Sequence, residues 1–317
     1  MRQVLVTGAA GFIGSHVCDA LLEKGYKVIA VDVFDDTYYS EAMKRENISH
    51  LLGHDRFTFY EEDITDAESI NRLVSEEDPD TVIHLAARAG VRPSIENPSG
   101  HIKANVDGTG VLLEQCARYG IRHFIFASSS SVYGNTKEIP FKEDADISRP
   151  ISQYAATKVA GEALCYTYHH LYDMDISCLR FFTVYGPRGR PDMAIAKWTD
   201  KIYAEEPIEL YGSGKLKRDF THISDIVSGV ISAMENVEGF RIYNLGNSEP
   251  VIISELVGII EHNLGKKARI ILKGKQPGDV DLTCADITRA GKELGYNPKM
   301  PIEKGVEDYV RWYLGKK

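Results

Sequence analysis

The chain has 317 residues, 43% of them hydrophobic, which is enough for a large core in one two-lobed unit or in two small domains. Its 37 basic and 46 acidic residues give a formal net charge of -9, which argues against general binding to nucleic acids or acidic membranes. No run of about 18 apolar residues predicts a membrane span, and the five scattered cysteines lack the spacing of a zinc site. We therefore expect a cytoplasmic protein with no metal, nucleic-acid or membrane partner.

Apolar strands and helices alternate over the first 180 residues. The predicted strands cover residues 4–7, 27–32, 58–61, 81–86, 123–128 and 176–180, and the predicted helices cover residues 14–24, 67–75, 105–119 and 154–171. This alternation predicts an α/β fold of the Rossmann type, built on a doubly wound parallel sheet.

Beyond residue 180 the alternation is looser. Helices are predicted at residues 193–205, 224–234, 254–264 and 303–312, and a strand at residues 208–211. These elements predict a smaller C-terminal lobe. We expect residues 1–180, with parts of 220–250, to form the cofactor-binding domain, and residues 181–219 and 251–317 to form a substrate-binding lobe.

A glycine-rich turn joins the first predicted strand to the first helix. Gly8, Gly11 and Gly14 allow a tight turn and a close approach of the backbone to a pyrophosphate at the helix N-terminus. Asp32 ends the second strand, 18 residues after Gly14, where its carboxylate can accept hydrogen bonds from both ribose hydroxyls and repel a 2′-phosphate. The pattern predicts bound NAD rather than NADP.

Two later strand ends extend this prediction. Asp63 and Ile64 follow the third strand, where the acid could meet the adenine amino group or could instead cap a helix starting near Thr65. At the end of the fourth strand, residues 85–87 carry mostly small side chains, which let the backbone approach the cofactor.

Tyr154 and Lys158 lie four residues apart, and therefore on one face of a predicted helix. In this arrangement a lysine ammonium can lower the pKa of a tyrosine from its usual value of about 10. A tyrosinate beside a nicotinamide can take the proton of an alcohol while the cofactor takes the hydride. The pair predicts oxidation of a secondary hydroxyl, with Tyr154 as the base.

Together these motifs resemble those of the extended short-chain dehydrogenases that act on nucleotide sugars. The matching segments are the glycine loop, residues 85–87, the serines 128–131 with the Val-Tyr-Gly that follows, the Tyr154/Lys158 pair, and residues 180–187 and 218–222. The resemblance covers essentially the whole chain and is closest to UDP-glucuronate 4-epimerases, in residues 89–92 and 189–194. It implies a homodimer, paired through the helices at 105–119 and 154–171.

The implied reaction is NAD-dependent inversion at C4 of a UDP-sugar through a transient 4-keto intermediate, with UDP-glucuronate becoming UDP-galacturonate. A UDP-glucose or UDP-N-acetylhexosamine 4-epimerase is the alternative, and a UDP-glucuronate decarboxylase or a net dehydrogenase is less favoured. Related dehydratases carry Thr-Asp-Glu at the positions of Ser129, Ser130 and Ser131, and related decarboxylases carry glutamate at Ser131. The acid and base groups of those two reactions are therefore missing from this chain.

The resemblance also implies roles for individual residues. Ser129 would bond the reacting hydroxyl beside Tyr154 and Lys158. The cofactor would contact Gly8, Gly11, Phe12, Ile13, Gly14, Asp32, Asp63, Ile64, Leu85, Ala86, Ala87, Asn105, Ser128, Tyr154, Lys158 and Phe181. The substrate would contact Ser129, Ser130, Ser131, Thr183, Arg190, Tyr211, Arg218 and Asp279.

Two of the substrate arginines have a plainer interpretation. Arg190 is a candidate to hold the substrate carboxylate, but it could be a solvated loop arginine. Arg218 matches an arginine on the pyrophosphate, whose oxygens suit a planar guanidinium, but residues 215–218 could form a charged hairpin turn. Gln276 stands where many relatives carry a diphosphate-binding arginine, so Lys273 or Lys275 would have to compensate or the nucleotide would be held less tightly.

Overall fold

The computed structural model describes residues 2–36, 39–274 and 280–317. Its strands are β1 Gln3–Thr7, β2 Lys27–Asp32, β3 Phe57–Glu61, β4 Thr81–His84, β5 His123–Ser129, β6 Asp175–Phe181, β7 Thr183–Tyr185, β8 Pro207–Tyr211, β9 Lys217–His222, β10 Phe240–Leu245, β11 Pro250–Ile252 and β12 Arg269–Lys273. Its α-helices are α1 Phe12–Glu23, α2 Glu41–Ser49, α3 Ala67–Glu77, α4 Val91–Glu96, α5 Pro98–Ile102, α6 Gly108–Tyr119, α7 Gln153–Tyr172, α8 Ala194–Tyr203, α9 Ile223–Glu235, α10 Ile253–Leu264, α11 Thr288–Leu294 and α12 Ile302–Leu314. A π-helical segment, Lys103–Asp107, precedes α6, and 3₁₀ segments cover Ser130–Tyr133 and Gly212–Gly214.

Seven strands, all paired in parallel, form the central sheet in the order β10-β6-β5-β4-β1-β2-β3. The order reverses between β4 and β1, and in open α/β sheets a ligand binds beyond the carboxyl ends of the strands at such a reversal. This sheet confirms the predicted Rossmann-type fold. Two smaller sheets, β11-β9-β7 and β12-β8, lie outside it.

The two faces of the central sheet bury separate apolar clusters. Because side chains alternate along a strand, Val4 and Val6 of β1 enter one cluster, whereas Leu5 enters the other. The first cluster includes residues of α1 and α9, and the second includes residues of α3, α6 and α7. A third cluster, which includes Trp198, Ile208 and Leu256, joins α8, α10 and α12 to the smaller sheets.

Three differences from the predicted elements bear on the predicted site residues. The fourth strand ends at His84 because its neighbour β1 ends at Thr7, and Gly8 turns away with a φ of 69°. The predicted helix at 105–119 begins with the π-helical segment. Residues 217–222 form the strand β9, so Arg218 lies on a strand and not in a charged hairpin turn.

Two features are missing from the parts of the chain that the structure describes. None of the described helices is both long enough and apolar enough to cross a membrane. Within the same residues, no three His, Cys, Asp or Glu side chains group in a way that could hold a metal ion.

Candidate active site

A cleft of about 430 Å³ opens beyond the carboxyl ends of β1, β2, β4 and β5. Its walls bring together sixteen of the residues predicted from the sequence, and the first fifteen of these are the predicted cofactor contacts. They are Gly8, Gly11, Phe12, Ile13, Gly14, Asp32, Asp63, Ile64, Leu85, Ala86, Ala87, Ser128, Tyr154, Lys158, Phe181 and Arg190. The cleft therefore joins the glycine turn to the tyrosine–lysine pair.

The glycine turn has no room for side chains. A Cβ on Gly14 would lie 2.0 Å from the carbonyl oxygen of Gly8, and a Cβ on Gly8 would lie 2.7 Å from the backbone nitrogen of Ala86. The turn therefore brings the N-terminus of α1, with its unpaired N–H groups, to the floor of the cleft. This arrangement fits a pyrophosphate.

Asp32 is buried at the end of β2 and accepts three hydrogen bonds from described residues. The backbone N–H of Ala10 donates to Oδ2 at 3.1 Å, and that of Phe34 donates to Oδ1 at 3.1 Å. The ammonium of Lys44 donates to Oδ1 at 3.3 Å. Lys44 also lines the cleft, and it was missed because α2 has few apolar residues to predict a helix there.

Asp63 lines the cleft, but it also stabilises its own turn, since Oδ1 accepts a 2.8 Å hydrogen bond from the N–H of Thr65. The N-cap of α3 is Asp66, three residues later. A second ion pair missed by the sequence lies on the cleft wall, where Arg88 Nη2 donates to Asp35 Oδ2 at 2.5 Å. Its partners are separated by more than fifty residues, so no local pattern marks them.

Tyr154 and Lys158 face the cleft from α7, as predicted. The Lys158 Nζ donates to the carbonyl oxygen of Ala127 at 2.7 Å and lies 5.9 Å from the centroid of the Tyr154 ring. Burial lowers the pKa of Lys158 to about 8. Lys158 therefore loses its charge in the neutral to mildly alkaline pH range.

The prediction that Lys158 lowers the pKa of Tyr154 is wrong, because the protein's own side chains leave that pKa raised. Burial raises the pKa of Tyr154, while a hydrogen bond from Ser129 and the positive charge of Arg190 oppose that rise. Lys158 is directed at the Ala127 carbonyl instead of the phenol oxygen. Desolvation of the phenolate, which the spacing of the two residues does not reveal, outweighs the opposing effects.

Asn105 does not line the cleft. It is buried in the π-helical segment, where Nδ2 donates to the carbonyl oxygen of Arg88 at 2.9 Å and to Thr157 Oγ1 at 3.0 Å. Its Oδ1 accepts from the N–H of Arg88 at 2.7 Å. Asn105 thus ties the cleft wall at Arg88 to α7, between Tyr154 and Lys158.

A second cavity, of about 230 Å³, holds four of the predicted substrate residues: Ser130, Ser131, Thr183 and Arg218. Arg92 lines the same cavity, and its guanidinium lies 5.1 Å from the ring centroid of Tyr211. The hydroxyl oxygens of Ser129 and Ser131 lie 3.2 Å apart, within hydrogen-bond distance. Asp279, Gln276 and Lys275 lie outside the described residues.

Arg190 lines the cofactor cleft and shares a narrow cavity of about 20 Å³ with Thr183. Its guanidinium binds Asp192 in a bidentate manner, with Nε–Oδ1 at 2.9 Å and Nη2–Oδ2 at 2.6 Å. Arg190 is therefore a part-buried arginine at the junction of two cavities, already oriented by a carboxylate.

Comparison with known proteins gives the same picture. The model of the NAD dependent epimerase/dehydratase family matches residues 4–246. A UDP-glucuronate 4-epimerase from Thermodesulfobacterium geofontis is 43% identical over 98% of this chain and 96% of its own. UDP-glucuronate 4-epimerase 4 of Arabidopsis thaliana is 43% identical over 98% of this chain and 75% of its own.

Solved structures agree in fold along the whole chain. The UDP-glucuronic acid 4-epimerase from Bacillus cereus, in complex with UDP-glucuronic acid and NAD, has a TM-score of 0.94 and 36% identity, with full coverage of both chains. The UDP-glucose 4-epimerase of Thermotoga maritima with UDP-glucose has a TM-score of 0.91 and 33% identity, with 99% coverage of each. With its glycine turn, buried Asp32 and Tyr154/Lys158 pair on one cleft, this chain belongs to the NAD-dependent epimerase/dehydratase family.

Proposed function

We propose that this protein inverts C4 of UDP-glucuronate, giving UDP-galacturonate, with NAD as its cofactor. The observation that carries the proposal is the position of Arg190, a cation on the same cleft wall as Tyr154 and Lys158. Relatives that match essentially the whole chain and bear the name UDP-glucuronate 4-epimerase support it. In this proposal the domain built on the seven-stranded sheet binds NAD, and the lobe with the smaller sheets binds the UDP-sugar.

In this proposal Tyr154 takes the proton from the C4 hydroxyl, and Ser129 donates a hydrogen bond to the same oxygen. NAD held by the glycine turn and Asp32 would supply a reversible acceptor for the C4 hydride. Tyr154 gives its proton back after the 4-keto sugar has turned its other face. The groups that favour the phenolate of Tyr154 are Ser129, through its hydrogen bond, and Arg190, through its charge, while Lys158 Nζ stays 5.9 Å from the centroid of the Tyr154 ring.

A 4-keto glucuronate is a β-keto acid and tends to lose CO₂. The enzyme must therefore hold the carboxylate so that its bond to the ring stays out of line with the ketone π system. Arg190 and Thr183 share a cavity and can supply the donors, together with the hydroxyls of Ser129, Ser130 and Ser131. None of these residues is a carboxylic acid that could serve the dehydratase or decarboxylase reactions.

The second candidate is inversion of a UDP-sugar without a carboxylate, such as UDP-glucose. One observation favours it, because Arg190 is already paired with Asp192 and a neutral sugar would leave that pair intact. The ion pair between Arg190 and Asp192 is only partly buried, however. A substrate carboxylate can therefore replace Asp192 at a modest free-energy cost. We therefore keep UDP-glucuronate as the first choice.

An NMR time course of the purified protein tests both candidates, with UDP-glucuronate and UDP-glucose in parallel and no added NAD. We expect UDP-galacturonate to appear and UDP-glucose to remain unchanged. Conversion of UDP-glucose alone would establish the second candidate. A UDP-pentose product would show that the serines at 129–131 do not exclude decarboxylation, and stoichiometric NADH would indicate a net dehydrogenase.

We expect Asp32 to set the preference for NAD over NADP, and Lys44 to favour the 2′-phosphate of NADP once Asp32 is replaced. Asp32→Ser removes the charge that repels a 2′-phosphate and frees Lys44, whose Nζ lies 3.3 Å from Asp32, to pair with that phosphate. We expect the affinity for NADPH to rise about tenfold, or about 1.4 kcal/mol, and the affinity for NADH to fall. Cofactor fluorescence on titration into the stripped protein measures both.

The matched control for this prediction is the double variant Asp32→Ser/Lys44→Gln, which should lose the gain for NADPH. Equal NADPH affinity in the single and double variants would show that Lys44 has no part in the discrimination.

We also propose a homodimer formed through α6 and α7. Among the described residues, these helices carry large exposed apolar side chains: Tyr119 on α6, and Tyr166, Leu171 and Tyr172 on α7. Light scattering of the purified protein gives the mass that decides between a monomer and a dimer.

A further inference from the structure

One face of α7 contacts three consecutive residues at the end of β5. The Ser129 hydroxyl opposes the rise in the pKa of Tyr154, and Lys158 donates to the carbonyl of Ala127 at 2.7 Å. One turn further along, Glu162 accepts a hydrogen bond from the Ser128 hydroxyl at 2.5 Å. Two of these contacts belong to the catalytic pair, whereas the third has no part in the reaction described above.

Glu162 is held from behind by a buried arginine. Arg180 of β6 donates from Nε to Oε1 at 2.9 Å and from Nη2 to Oε2 at 2.8 Å. The side chains of the two residues are 1% and 5% exposed. Bidentate pairing and the Ser128 bond together fix the carboxylate in one orientation.

The third guanidinium nitrogen of Arg180, Nη1, extends the hydrogen-bond network away from the cleft. Its Nη1 donates to Tyr133 OH at 3.0 Å and to the carbonyl oxygen of Glu143 at 3.0 Å. Tyr133 in turn donates to Asn244 Oδ1 of β10 at 2.6 Å. The position of Glu162 is thus tied to two neighbouring strands of the central sheet and to the 3₁₀ segment after β5.

Helix α7 can reach β5 in this way because Gly161 leaves room. A Cβ on Gly161 would lie 2.3 Å from Cζ of Phe126, so any other residue would push the helix away from the strand. Such close packing next to Glu162 makes the Ser128 bond possible.

A buried ion pair is a weak source of stability, because removing two charges from water offsets most of their attraction. An apolar pair of the same size would hold α7 on the sheet at least as well. The Glu162–Arg180 pair differs from an apolar pair because its hydrogen bonds are directional, and they set where the end of β5 lies along α7. The Ser129 hydroxyl and the Ala127 carbonyl need this fixed position to meet Tyr154 and Lys158.

We propose that Glu162 is a positioning residue: anchored by Arg180, it fixes the end of β5 on α7 so that Ser129 and the Ala127 carbonyl meet Tyr154 and Lys158. The proposal rests on the proposed function, because it assigns Tyr154 and Lys158 to the reaction.

The charge of Lys158 offers a readout that a purely structural role would not move. Burial lowers the pKa of Lys158, and Cys165 and the carboxylate of Glu162, both on α7, oppose that fall. From the other elements, Lys158 faces the Phe126 ring of β5 at 5.0 Å and His84 of β4, which burial keeps neutral with a pKa of about 3. Loss of the Glu162 charge should therefore make Lys158 lose its proton at a lower pH.

The experiment compares Glu162→Gln with Glu143→Gln. Both exchange a buried glutamate for its amide, but Glu143 bonds the N–H of Asn244 on β10 and not α7. For Glu162→Gln we expect kcat to fall about tenfold, KM to change less than twofold, and the alkaline limb of the kcat–pH profile to move to lower pH. For Glu143→Gln we expect lower thermal stability and an unchanged pH profile.

Equal effects of the two variants on kcat and on the pH profile would overturn the proposal. If Glu162→Gln does not fold, Ser128→Ala measured at saturating NAD decides, because it keeps the buried ion pair and removes the bond between Glu162 and β5. A severalfold loss of kcat in Ser128→Ala supports the positioning role, and an unchanged kcat overturns it.

Activity is measured with whichever UDP-sugar the unmodified protein inverts, so a wrong sugar in the proposed function leaves this test intact. Amide hydrogen exchange of the free protein gives a reading that needs no turnover. We expect faster exchange at residues 127–131 in Glu162→Gln than in Glu143→Gln, and equal rates there would count against the positioning role even if no sugar were inverted.

Discussion

Replacement of Tyr154 by phenylalanine should lower kcat by about a thousandfold, within the range for a positioned general acid and base. The change removes one oxygen from a ring that lines the cleft, so the fold and the binding of NAD should survive. Turnover of the UDP-sugar, followed by NMR, measures the loss. Circular dichroism and cofactor fluorescence measure what is kept.

Tyr166→Phe is the matched control for this prediction. Tyr166 lies on the same helix, three turns beyond Tyr154, and its side chain is exposed. It should keep full kcat. If Tyr154→Phe retained more than a tenth of the activity, another group would have to be the base.

Arg190→Gln should lower kcat/KM for UDP-glucuronate by about a hundredfold, or roughly 3 kcal/mol, because a charge-assisted bidentate bond to the substrate carboxylate is lost. It should change kcat/KM for UDP-glucose less than threefold. A loosened carboxylate should also let some 4-keto sugar lose CO₂, so a UDP-pentose should appear among the products. NMR of the same reaction mixtures gives all three results.

Arg188→Gln controls for charge loss in the same loop. Arg188 Nη1 pairs with Asp19 Oδ2 at 2.7 Å, and its side chain is not among those that line the described cavities. The control should keep its preference for UDP-glucuronate. Unchanged turnover of UDP-glucuronate in Arg190→Gln would assign that arginine to the structure of the loop.

Much of the central sheet could be predicted because each of these strands has a recognisable local sequence pattern. A buried parallel strand is a short apolar run, and β2, at Lys27–Asp32, is where the sequence predicts it. The strand β10 was not predicted as one, since Phe240–Leu245 includes an arginine and an asparagine and lies among looser elements. Its place beside β6 is a long-range pairing that no local pattern contains.

The candidate site divides in the same way. Gly8, Asp32 and the Tyr154/Lys158 pair follow from spacing, because the turn and the helix fix their geometry over a few residues. Lys44 and Glu162 reach their partners only through the tertiary fold, and the pKa of Tyr154 depends on burial. Sequence reasoning could therefore name the groups that we propose to react but not the groups that orient them or set their charge.

The last strand to join the central sheet comes late in the chain. Until Leu245 has been synthesised, β6 remains an outer strand with the hydrogen-bonding groups of one edge unpaired, although the glycine turn and α7, which carries the tyrosine–lysine pair, are already made. Such an edge is a template for pairing with another chain. A nascent or truncated protein that stops after β6 should thus be prone to aggregate during translation, and expression of an isolated cofactor-binding fragment should require the β10 segment to be included.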